Sequence, residues 1–418
     1  MFSNRQQIHS TARNMGNINS LDKNSQANAF SIKATLLLTS TLTVMSGATI
    51  SPSLPAMQSH FADVENSALL VRLVLTIPAL FIAFGGMFAG QLADRLGRKP
   101  LLMAATLVYG MAGASGFVLN SLGAILVGRA VLGLAVAGIM TGVTTLIADY
   151  YKGQQRADFM GLQAAFMGLG GVVFLSFGGF VADLNWRYPF LIYLSAWAIF
   201  VAIAITLYEP STAVNNTVQL TEVQSQPSTL YGILAMIYGV ALLYMVVFYL
   251  IPVQLPFYLK SLGSESATAA GLAIAASTLA SSIASLRYGF IKQHAGYVQI
   301  IAIAFIIAAL GYAVIGFAGS YNIVLLGLII AGLGLGLLMP NLNVWLSSIV
   351  PDNLRGRALG GLTTFFFLGQ FLSPLISQPI TDVFGLDKTY LLTGVALAIV
   401  SICFLILRRQ IRAWCESC

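Results

Sequence analysis

The sequence predicts an all-α membrane protein of twelve transmembrane helices, built as two parallel six-helix repeats with both termini cytoplasmic. Composition is the first reason. Of 418 residues 57% are hydrophobic and only 8% charged, against about 25% charged in a soluble domain. The second reason is spacing: apolar runs of the roughly 20 residues needed to cross a hydrocarbon core of about 30 Å recur from Lys33 almost to the C-terminus. The third is internal symmetry, because the two halves overlay at a constant offset of 199 residues.

Taken in order, the first 32 residues are rich in Asn, Ser and Gln and have no apolar core, so residues 1–32 read as a disordered cytoplasmic tail and not as a cleaved signal peptide. Residues 33–208 form the expected N-terminal bundle, with spans near 34–57, 68–90, 101–119, 122–150, 159–183 and 188–208. Residues 209–228 hold Pro, Asn, Gln, Ser and Thr but no Lys or Arg, and read as a central cytoplasmic loop. Residues 229–408 form the second bundle, with spans near 229–257, 267–291, 298–318, 322–348, 358–384 and 388–408, and 409–418 form a cytoplasmic tail.

The net charge of +7 acquires meaning from its distribution. One set of loops and tails holds 16 of the 21 Lys and Arg residues, while the opposite set holds Arg187, Lys260 and Lys388 and two lie within spans, Arg72 and Arg129. Basic residues near span ends are retained in the cytoplasm, which fixes the expected orientation. No basic patch with interleaved aromatics suits nucleic acid, so none is expected as a partner. Of three cysteines, Cys403 lies in the last span, and Cys415 and Cys418 form a CxxC without a second pair or a nearby histidine, so no metal is expected.

At the 199-residue offset Gly90 meets Gly289, Gly97 meets Gly296, Gly128 meets Gly327, Gly133 meets Gly332, Arg156 meets Arg355, Gly161 meets Gly360, Gly170 meets Gly369 and Asp183 meets Asp382. A six-span unit has been duplicated in tandem. Because six is even, both copies enter the membrane the same way round and are related by an axis along its normal, an arrangement that can rock about a central site.

The loop after the second span reads Gly90, Gln91, Leu92, Ala93, Asp94, Arg95, Leu96, Gly97, Arg98, Lys99, Pro100. Gly90 permits close helix approach, Asp94 suits the positive N-terminal end of a neighbouring helix, and Gly97 permits a tight turn. The loop resembles the signature loop of the major facilitator superfamily, in which this contact latches the two halves together on the cytoplasmic side. Asp149 and Arg156, seven positions apart, resemble the acid-x6-arginine pattern of the same family. The resemblance implies that the acid pairs with Arg95 or Arg98 when that side is closed. In the second copy, Gln293, His294 and Tyr297 stand where charges stood in the first.

Arg129 lies well inside the fourth span, where a cation costs about 2.5–3.5 kcal/mol or more. The stretch Arg129 to Gly138 resembles the family's fourth-helix motif, whose arginine is implicated in proton coupling, although Leu132 replaces a frequent polar residue. A packing role through backbone carbonyls is the alternative. Arg72, near the outer end of the second span, is expected to reach the interface. The fifth span is glycine-rich at Gly168, Gly170, Gly171, Gly178 and Gly179 but lacks the Gly-Pro pair frequent in exporters of this family, having Phe174 and Leu175 there. Met45 to Pro55 resembles the first helix of bacterial drug:proton antiporters, with Ser46 where many relatives place an acid.

In the major facilitator fold, spans 1, 4, 7 and 10 line the cavity. That resemblance makes Thr49, Arg129, Thr141, Tyr244, Phe248, Asn341 and Asn343 its candidate contacts, an apolar wall with a few polar groups suited to an amphipathic ligand. No HExxH and no paired intramembrane carboxylates suggest an enzyme, and no cofactor is expected. The resemblance therefore implies a monomeric secondary transporter of a bacterial inner membrane, exporting an amphipathic small molecule by alternating access against proton entry. Export of a siderophore or metabolite, proton-coupled uptake and a non-transporting sensor are the alternatives.

Overall fold

The computed structural model describes residues 30–210 and 228–416. The expected N-terminal tail up to residue 29, most of the central loop and Cys418, with it the CxxC pair, lie outside the described residues. Among the described residues no strand occurs, and twelve helices are long and apolar enough to cross a membrane. They are α1 (Phe30–His60), α2 (Ser67–Leu96), α3 (Arg98–Phe117), α4 (Leu122–Tyr150), α5 (Gly153–Leu184), α6 (Tyr188–Thr206), α7 (Leu230–Ser261), α8 (Ala267–His294), α9 (Tyr297–Gly316), α10 (Tyr321–Ile349), α11 (Asn353–Phe384) and α12 (Leu386–Gln410).

Most helices outrun the apolar windows that announce them. Hydropathy sees the stretch that must avoid water, whereas the backbone ladder continues until a residue ends it. α2 runs to Leu96, beyond the expected 90, and stops at Gly97, whose φ of +95° only glycine adopts without strain. α4 matches its expected bounds because both ends are marked locally. Ser121 accepts from the Ala124 amide at 3.2 Å, and the chain turns extended at Tyr151. Local breaks occur where proline or glycine falls: α1 loses helical geometry at Thr49 and Ile50 ahead of Pro52 and Pro55, and α10 at Gly336 and Leu337.

Each six-helix unit has its own apolar core. One is centred on Leu36, Met45, Leu75, Ile139 and Phe190 and the other on Ile237, Leu255, Phe305, Tyr312 and Leu335. The duplication is visible in close packing. Cβ atoms built on Gly133 and on Gly332 would collide with the carbonyls of Pro78 and Ser277, so α4 meets α2 as α10 meets α8, at the same offset of 199. Gly138 and Gly142 likewise seat α4 on Ala105 and Leu102 of α3.

The halves touch along α5 with α8 and α2 with α11, and these contacts gather toward the ends away from the basic loops. A Cβ on Gly179 would come within 2.7 Å of the Ala267 carbonyl, and Gly271 lies under the Leu175 carbonyl. Toward the basic face, Cβ atoms built on Gly90, Gly161, Gly289 or Gly360 would meet nothing within 4 Å. The seam is closed on the opposite face, and at these four glycines of the basic face the surroundings are open.

Candidate functional site

On the basic face, the Gly97 turn is pinned to the end of α6. The Glu209 carboxylate accepts from the Arg98 and Lys99 amides at 2.8 and 2.7 Å, capping the start of α3, where exposed N–H groups favour an anion. Lys99 returns the contact, donating from Nζ to the Ala204 and Leu207 carbonyls at 2.8 and 2.6 Å. Glycine is needed at 97 for space as well as for φ, since a Cβ there would stand 2.9 Å from Glu209 Oε1. Arg98 pairs with Asp149 at 3.3 Å. That pair lies within one half. Arg95 and Arg156 are exposed, and among the described residues Asp94 has no hydrogen bond or ion pair.

Arg129 is 1% exposed and is satisfied by two breaks in neighbouring helices. Pro78 has no N–H, so the Val74 carbonyl four residues earlier lacks its helical donor, and Arg129 Nε supplies one at 2.9 Å. In α1 the helix fails at Thr49 and Ile50, where the Ser46 carbonyl would have found its amide, and Arg129 Nη2 donates to that carbonyl. Nη1 donates to the Tyr193 hydroxyl at 2.9 Å, which itself donates to Ser46 O at 3.1 Å. The guanidinium thus joins α4 to α1, α2 and α6 through carbonyls and a hydroxyl, with no carboxylate among these partners.

The opposite face is held by groups from both halves. Asp183, at the end of α5, caps the start of α8: Oδ1 accepts from the Ala267 amide at 2.6 Å, and Oδ2 accepts from the Thr268 amide, the Thr268 hydroxyl and the Ser266 hydroxyl. Arg72 does not extend to the interface. It is 4% exposed, donates from Nε to Gln254 of α7 at 2.9 Å and lies 3.7 Å from the centre of the Phe257 ring. Its Nη1 donates to Gln58 Oε1 at 3.1 Å and to the Ala68 carbonyl at 2.7 Å, so its charge is spent on the seam instead of on water.

Two of the candidate cavity residues stand together. Tyr244 and Phe248 belong to an aromatic group with Phe366, at ring separations of 5.7 and 5.9 Å from Tyr244. Tyr249 adjoins Phe248 and meets α1 at Gly47 together with Gln370. Thr141 is half-buried on α4. Thr49 is fully buried, with its hydroxyl on the Met45 carbonyl. Asn341 is fully buried near the basic end of α10, donating to the Tyr297 carbonyl at 3.0 Å, and Asn343 bonds back to Met339.

The family model of the Major Facilitator Superfamily matches the chain twice, over residues 36–265 and 236–415. The chain belongs to that superfamily. Among its relatives, the quinolone resistance protein NorA of Staphylococcus aureus is 24% identical over 367 residues, covering 86% of this chain and 92% of the relative. Multidrug resistance protein 1 of Bacillus subtilis is 25% identical over 380 residues, covering 88% and 96%. Among solved structures, a D-xylose-proton symporter overlays with a TM-score of 0.74 at 18% identity, covering 90% of this chain and 97% of that one. A bacterial homologue of the lysosomal transporter Spinster overlays with a TM-score of 0.74 at 16% identity, covering 91% and 96%.

As a member of the superfamily the chain is a multi-pass membrane transporter, and its sequence left several of the groups just described unmarked. Glu209 stood at the edge of a polar loop, Asp183 at a span end, and Gln254 inside an apolar run. One signal was present: Pro78 falls four residues after Val74 and announces a carbonyl in need of a donor. Nothing local announced that α4 would provide it.

Proposed function

We propose that this superfamily member exports amphipathic organic compounds in exchange for protons, as a monomer in a bacterial inner membrane with its basic face toward the cytoplasm. The observation that carries the proposal is the likeness, across nearly the whole chain, to two proteins named for resistance to quinolones and to multiple drugs. The aromatic wall of Tyr244, Phe248, Tyr249 and Phe366, with Gln370 beside it, agrees with an amphipathic cargo, as does the half-buried Thr141.

The contacts that close the opposite face support reading this geometry as the cargo-loading state. Asp183 on the start of α8 is the engaged latch, and Asp94 is its free counterpart on the basic face. Release requires the Asp183 and Arg72 contacts to break while Asp94 finds a helix start in the other half. The part of Arg129 in coupling is to hold the breaks of α1 and α2 and to repel a second positive charge nearby.

The test is the pH inside energised everted vesicles on addition of dyes, quinolones, siderophores and sugars. Compound entering the vesicle should drive protons out and raise the internal pH, and Arg129→Ala should lose at least about tenfold of that rate, the effect of about 1.4 kcal/mol on a barrier. An unchanged internal pH across the panel, with the protein present and oriented, would count against exchange. An acid-directed change with sugars would mean symport.

A further inference from the structure

The corner that Glu209 closes in the first half is open in the second. At the 199-residue offset Arg98 and Lys99 correspond to Tyr297 and Val298, and Glu209 corresponds to Arg408. In the first half a carboxylate on the chain leaving α6 sits on the amides that begin α3. In the second half the position that would furnish it carries the opposite charge. Gln299 turns back to the Gly296 amide at 2.9 Å, one residue ahead of the pair that Glu209 serves.

What replaces the carboxylate is a cavity of about 900 Å³ at the basic ends of α8, α9, α10 and α12. Lys292, His294, Arg408 and Arg409 line it, and among the described residues no carboxylate does. Its floor is the stacked pair Tyr297 and Trp345, 5.7 Å apart and 6° from parallel, with Lys292 Nζ held 4.0 Å above the Tyr297 ring. Trp345 is 1% exposed. The walls lead to lipid-facing surface: Leu405, Ile406 and Leu407, just before Arg408 on α12, are all exposed.

We infer that this corner binds a phosphate-bearing anion, which takes the place that the Glu209 carboxylate occupies in the other half. Lys292, Arg408 and Arg409 around one cavity repel each other, an anion among them relieves that repulsion, and a helix start adds partial positive charge. Phosphate offers the multi-oxygen anionic acceptor that two adjacent arginines bind best. Two sources share that chemistry: the head group of an anionic phospholipid in the basic-side leaflet, and free phosphate or a soluble phosphate ester. Basic pockets between transmembrane helices at this depth suit the first.

The experiment uses the purified full-length chain. Native mass spectrometry counts bound diphosphatidylglycerol and phosphatidylglycerol against phosphatidylcholine, and thermal unfolding follows titration with inorganic phosphate. Arg408→Glu rebuilds the first half's arrangement, with an internal carboxylate for α9, while the double change Arg408→Gln with Arg409→Gln removes charge without inserting an acid. Unfolding in phosphatidylcholine alone reports whether each variant folds.

Preferential binding of the anionic lipids, weakened at least about tenfold in both variants and untouched by millimolar phosphate, supports the site with a head group as its ligand. Thermal protection by phosphate that both variants lose, without lipid preference, supports it with the free anion. Absence of any anion preference in the unaltered chain, or preference that both folded variants retain, overturns it.

Discussion

At Arg129 one proline and one helix break explain a buried cation. Pro78 and the failure of α1 at Thr49 leave two carbonyls without helical donors, and one guanidinium serves both. A buried orphan carbonyl costs about 1–3 kcal/mol, so Arg129→Ala should lower thermal stability in detergent as well as transport. The two losses separate in a double-mutant cycle. Pro78→Ala restores an N–H to Val74 O, so its combination with Arg129→Ala should be less destabilised than the single effects predict, by about 0.5–1 kcal/mol. Additive melting shifts would show that the Val74 contact carries no energy. Arg129→Lys should fail to rescue transport, because one ammonium cannot span two carbonyls and a hydroxyl. The position of Arg129 within a span was legible in the sequence; its partners were not, because two of them are backbone atoms of helices far away in sequence.

At the scale of an element, the Gly97 turn shows how span ends are fixed. Both φ and the proximity of Glu209 exclude a side chain there, so Gly97→Ala should cost about 1–2 kcal/mol, read as a fall in melting temperature. Glu209→Ala should loosen the start of α3 by about 1 kcal/mol and raise hydrogen exchange at the Arg98 and Lys99 amides, while leaving the start of α9 unaffected. Equal exchange at both helix starts would contradict the capping role. The helix count and order were legible because lipid imposes a continuous apolar run on every span. Exact ends were legible for α4, where Ser121 caps, and not for α2 or α5, whose ladders continue past the lipid core.

For the whole molecule, the sequence announced the duplication through glycines whose spacing the packing repeats: Gly133 and Gly332 lie over equivalent carbonyls. It did not announce which face is closed, since both states use the same residues. The orientation proposed from the basic loops has a direct check. In everted vesicles an impermeant maleimide should label Lys152→Cys and spare Lys260→Cys, and the reverse pattern would invert the topology.

The central claim, that latches on two faces alternate, is tested most directly by electron–electron distances between spin labels placed across each face of the full-length chain. One pair uses Glu65→Cys with Glu265→Cys on the opposite face, and the other uses Lys152→Cys with Arg357→Cys on the basic face. Removing the engaged latch by Asp183→Ala should shift the population by roughly five- to thirtyfold for about 1–2 kcal/mol. The distance across the opposite face should then lengthen while that across the basic face shortens. Asp94→Ala should leave both distributions in the starting state. If Asp183→Ala left both distances unchanged, or lengthened both, the two faces would not be coupled and the latch account would be wrong.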